Sequence, residues 1–99
     1  MQIAGIIGGA RKIVRILARV AAGEKVVIVA DTDTPVVAEA LATAALEITP
    51  EVVTTVMTPV SVDGAEPPAI VAAAMQAADV ALLPVSYSIS HSTATRNAL

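Results

Sequence analysis

The run Lys25-Val26-Val27-Ile28-Val29-Ala30, closed by Asp31-Thr32-Asp33-Thr34-Pro35, constrains this chain most. Val and Ile are stiff at χ1 and pack well on a pleated surface, so four such residues in a row, followed by Ala30, predict a strand. No polar residue alternates with them, which is the pattern of a strand buried on both faces, as in a parallel sheet. Parallel strands need a crossover, and the next residues supply one. Thr34 suits the N-cap of a helix and Pro35 its first turn, where a missing N–H costs nothing.

The rest of the chain repeats that unit. The helix from Pro35 is expected to reach about Glu47, with Val37, Leu41, Ala44, Ala45 and Ile48 inward and Glu39, Thr43 and Glu47 outward. Thr49-Pro50 breaks it, and Val52 to Met57 reads as a second β-branched strand. A loop from Thr58 to Glu66 leads to Pro67-Pro68 and a third helix, about residues 68 to 78. That helix is small and apolar nearly all round, which predicts that something covers it. Asp79 turns the chain into a third strand, residues 80 to 84.

Ahead of these units, residues 8 to 21 read as an amphipathic helix. Ala10, Ile13, Leu17 and Val20 form its apolar side, and Gly23 is expected to end it as a C-terminal cap. Arg11, Lys12, Arg15 and Arg19 form a cationic stripe that could meet phosphate or an acidic partner; a solvated face is the plainer reading.

A helix followed by three strand-helix units predicts an α/β fold: a Rossmann-like three-layer sandwich on a short parallel sheet of about three strands. So small a parallel sheet leaves two edges open, and such sheets are normally larger and covered. Residues 1–99 are therefore expected to form a single but incomplete α/β domain, either the N-terminal part of a longer enzyme or a subunit covered by others, with a homo-oligomer expected.

Composition narrows the function. The net charge is -3 and the pI about 4.8, which argues against a general nucleic-acid binder, whose surface is typically basic. There is no cysteine, hence no disulfide framework and no thiol chemistry, as suits a cytoplasmic protein. No basic n-region precedes the short apolar start, so no signal peptide is expected, and no stretch reads as a membrane span. With one Tyr and no Phe or Trp, the core must rely on Val, Ile and Leu.

In open parallel sheets, ligands bind outside the carboxyl ends of the strands. Three segments leave those ends: Asp31–Thr34, Thr58–Glu66 and Val85–His91. The stretch Pro84 to Ser92 holds the only Tyr and the only His of the chain among four Ser. His91 could act as a proton donor, hydrogen-bonder or metal ligand, and Tyr87 could hydrogen-bond a ligand or simply pack its ring; alternatively the hydroxyls of this stretch cap a helix that follows. Asp31 and Asp33 could hold a hard cation or make turn hydrogen bonds. No dinucleotide fingerprint, phosphate-binding loop or nucleophile elbow is present.

Taken together, Asp31-Thr-Asp-Thr-Pro35, Gly64-Ala-Glu-Pro-Pro68, Ala78-Asp79-Val80 and Ser86-Tyr-Ser-Ile-Ser-His91-Ser-Thr-Ala-Thr-Arg96 form a set whose order and spacing span nearly the whole chain. The set resembles the N-terminal domain of proteins related to the bacterial metallo-aminopeptidases often described as leucyl aminopeptidase, a group that includes the 2,5-dihydroxypyridine dioxygenases of nicotinate breakdown. The resemblance implies a longer protein whose C-terminal catalytic domain carries the metal ligands. It implies iron(II) or another divalent metal bound outside this chain, and a small-molecule substrate. His91 would face the substrate pocket, with Ser86, Tyr87 and Ser88 lining it and no metal ligand in this chain. Ile48-Thr49-Pro50 departs from the Gly-containing helix-to-strand turn of that pattern, and the chain ends just inside the helix expected after His91. The reading from a different class is a small non-catalytic α/β subunit acting through protein–protein contacts, by its exposed sheet edge and its Ala-rich third helix.

Overall fold

The computed structural model describes residues 3–58, 68–84 and 94–96. In order these form α1 (Ile3–Lys12), a π-helical turn (Ile13–Leu17), β1 (Val26–Asp31), α2 (Pro35–Leu46), β2 (Val52–Met57), α3 (Ala69–Ala77), β3 (Val80–Leu82) and β4 (Ala94–Arg96). The sheet order is β2-β1-β3-β4, with β1 parallel to both its neighbours. The expected three-strand parallel sheet is therefore present, and it is open. Where a helix was expected to follow His91, Ala94–Arg96 instead pairs antiparallel with β3, Ala81 opposite Thr95. Three residues suffice for this because β3 leaves an open ladder beside them, and ladder bonds outweigh a weak local helix preference.

Every residue of β1 is buried. Val26, Ile28, Ala30, Val80 and Leu82 face α1 and α2, while Val27, Val29 and Ala81 face α3. Helices thus cover both faces of the central strand, as right-handed crossovers require. Burying one such aliphatic side chain contributes about 1.5–3 kcal/mol, so β1 adds much to the stability of a chain whose only aromatic is one Tyr. At the amino end of the strands, the Lys25 N–H donates to Asp79 Oδ2 (2.8 Å) and the Asp79 N–H donates back to Lys25 O (2.8 Å).

The first helix differs from expectation. It starts at Ile3, and its α-helical part stops at Lys12. The Ala18 N–H then bonds Ile13 O (2.8 Å), five residues back, which widens the turn. The wider turn shifts the inward face to Ala10, Val14 and Ala18, and Leu17, expected inward, is 68% exposed. Nor does Gly23 cap this helix. The left-handed residue after the helix end at Ala18 is Arg19 (φ 53°), and Gly23 (φ 83°) serves the turn before β1.

In α2 the inward set is Ala38, Ala40, Leu41, Ala44 and Ala45; Val37 sits at the margin, 37% exposed. The turn from α2 into β2 holds without glycine. Thr49 is wholly buried, its hydroxyl donating to Glu24 O (2.9 Å) and accepting from the Glu51 N–H (3.2 Å). That side chain ties the strand entry to the turn before β1. Among the described residues α3 is not covered: only Val71 is buried, and Ile70 is 82% exposed.

Candidate functional site

The topology sets where a ligand site can form. From β1 the chain crosses over α2 to β2 on one side, then returns over α3 on the opposite face to β3 on the other side of β1. This reversal at β1 is a topological switch point, the kind of place outside the strands' carboxyl ends where open parallel sheets bind ligands. β3 leaves the ladder at Leu82, opposite Ile28, whereas β1 continues three residues further to Asp31.

Asp31 ends β1 at this switch point and is 1% exposed. A carboxylate in that position must have hydrogen bonds, because an unpaired buried charge is prohibitively costly. Its Oδ1 accepts the Asp33 N–H (3.0 Å) and lies 3.3 Å from Thr34 Oγ1. Thr34 Oγ1 in turn accepts the Asp31 N–H (3.2 Å), and the Thr34 N–H donates to Asp31 O (3.1 Å). Thr34 does precede the first helical residue, but its side chain folds back on Asp31 instead of capping α2. This is an Asx turn fastened by a threonine, and its effect is to fix Asp31 at the end of the central strand. Asp33 is exposed and contributes a backbone N–H to that turn. Of the two readings of the acidic pair, the turn hydrogen bonds are what the geometry contains.

The strand end of β2 lies beside it. Met57 is register-matched with Asp31, and the Thr32 N–H donates to Met57 O (3.2 Å). Ser86, Tyr87, Ser88 and His91 lie outside the described residues, as does the loop of residues 59–67. Among the described residues, no three His, Cys, Asp or Glu side chains gather where they could hold a metal ion. That part of the chain does not fit a ferrous or other divalent metal site, and no step is assigned through one. No helix among the described residues is long and apolar enough to cross a membrane.

The cationic stripe has a partner within the chain, missed in the sequence because it lies more than thirty residues away. Arg11 donates to Glu47 from Nε to Oε1 (3.0 Å) and from Nη2 to Oε2 (2.7 Å), and Arg15 Nη2 donates to the same Oε1 (3.0 Å). These bonds, Arg11 first and then Arg15, hold the Glu47 carboxyl down to about 2, against a smaller opposing effect of burial. The pairing joins α1 and the π turn to the end of α2, so two of the four cations are structural. Comparison of the chain with protein-family models, curated proteins and solved structures finds no match.

Proposed function

We propose that this chain is the substrate-side α/β domain of a metal-dependent enzyme, of the ring-cleaving dioxygenase or aminopeptidase kind that its motifs resemble. The observation that carries the ligand-handling part of this reading is Asp31: a buried carboxylate, fixed by its own turn, at the switch point of a parallel sheet. The choice of chemistry rests on the resemblance alone. In this reading Asp31 and Asp33 border the substrate crevice, and Ser86, Tyr87, Ser88 and His91 belong to its wall. The metal belongs to a C-terminal domain outside this chain.

The test is an NMR titration of the 15N-labelled chain with 2,5-dihydroxypyridine and, separately, with leucinamide. Saturable shifts at the amides of residues 31–34 with one compound are expected. Shifts with neither, or shifts confined to the opposite end of the sheet, would remove the reading. A second reading, a non-catalytic subunit working through protein contacts, is favoured by one observation: Val53 and Val56 on β2 are 60% and 61% exposed.

A further inference from the structure

The two edges of the described sheet are unlike. β4 is only three residues long, a short edge, as edges that avoid pairing usually are. β2 is six residues long, Val52-Val53-Thr54-Thr55-Val56-Met57, with no charge, no proline and no bulge. A long, flat, uncharged edge is a template for another strand.

The backbone says which strand fits. The Val26 N–H donates to Glu51 O (2.8 Å) and the Thr32 N–H to Met57 O (3.2 Å). In a parallel ladder each strand turns alternate peptide groups to its neighbour, so residues 53, 55 and 57 bond β1, while Val52, Thr54 and Val56 turn N–H and C=O outward. No described residue pairs with those three. A twofold axis perpendicular to the sheet keeps each face on its own side, so residues that meet across it must share parity. Centred on Thr54, such an axis sets Thr54 against Thr54 of a second copy and Val52 against its Val56, using all three outward residues at once. In that register Val53 is covered by Thr55 of the second copy, so both exposed valines of the edge are buried.

Two further features agree. The two Glu51 carboxylates would lie at opposite ends of the paired strands, about 20 Å apart by the strand rise, so no like charges meet. An apolar hollow of 340 Å³, lined in part by Pro50, Glu51, Val53, Ala74 and Ala77, lies beside the same edge on the α3 side. Met57, whose side chain is on that side, falls opposite Glu51 of the other copy and so at the mouth of its hollow.

We propose that two copies of this chain join through β2 in antiparallel register, Thr54 to Thr54, making one continuous sheet. The inference is separate from the ligand reading at Asp31 and gives the subunit reading its partner. The test uses the full chain, which has no cysteine. Light scattering should give twice the chain mass of 10.0 kDa. Under mild oxidation Thr54→Cys should crosslink at least tenfold more than Val52→Cys, because the Cα atoms related by the axis are about 5.5 Å apart at 54 and about 14 Å at 52. Thr54→Pro should give a folded monomer, since its lost N–H points away from β1. A wild-type monomer at about 100 µM, open polymers, equal crosslinking at both positions, or a dimer surviving Thr54→Pro would overturn self-pairing. A monomer that still shifts at residues 31–34 on titration would leave the ligand reading standing.

Discussion

β1 and β2 are nearly the same strand by sequence. Each has six residues in the sheet, both are rich in Val, and they run parallel in unbroken register from Val26↔Val52 to Asp31↔Met57. Yet all six residues of β1 are buried and none of β2 is. The difference is one of place. β1 has a strand on either side and helices on both faces, while among the described residues β2 has one neighbouring strand and partial cover from α2. A β-branched run therefore announces a strand, but its burial is decided by which strands the crossovers put beside it.

The sharpest way to break this comparison is to truncate equivalent side chains. Ile28→Ala in β1 should cost about 3 kcal/mol, because Ile28 has no exposed surface and the cavity left cannot be refilled. Val53→Ala in β2 should cost less than about 1 kcal/mol in the isolated monomer, since the site is mostly in water already. Urea midpoints measured under monomeric conditions check both. Similar losses would mean that β2 is covered in solution.

The paired strand ends offer a smaller contrast. Asp31→Ala removes the acceptor that the Asp33 N–H and the Thr34 hydroxyl use, and should cost about 2 kcal/mol. Its register partner Met57, only partly buried, should tolerate Ala at about half that cost. If the two losses are equal, Asp31 is not held by its turn in the way described.

The smallest effect lies away from both strands. Glu47 titrates at about 2 in the fold, below the ordinary carboxylate range, because Arg11 and Arg15 bond its ionised form. A carboxyl lowered by folding adds stability that is complete above its unfolded pKa and disappears as pH falls toward about 2. Wild type should therefore exceed Glu47→Gln in stability at pH 6, and the gap should close as pH drops from about 4.5 toward 2. The pair is half-exposed, so added salt should also narrow the gap.

What could be read from the sequence follows the same logic. β1, the helix after Pro35 and the order of units were legible, because uninterrupted apolar runs and a Thr-Pro start are local signals. The carboxyl-end position of Asp31 followed from that order. Its fastening by Thr34 did not, since Thr34 serves equally well in sequence as a helix cap. The first helix was misplaced because a π-helical turn moves the inward set from Leu17 to Val14 and Ala18, and nothing in Ile13–Leu17 distinguishes that turn from α-helix. The Arg11–Glu47 pair and the Thr49–Glu24 bond join residues far apart in the chain, which periodicity does not register. β4 was read as a helix start because its pairing depends on β3, a tertiary partner.

Amide hydrogen exchange along β2, measured at low and high protein concentration, tests most directly whether the place of this strand makes it the joining edge. At low concentration the amides of Val53, Thr55 and Met57 should be protected by β1, while those of Val52, Thr54 and Val56 exchange freely. At high concentration the second set should become protected as well. Protection of Val52, Thr54 and Val56 that does not depend on concentration, or that never develops, would contradict the account.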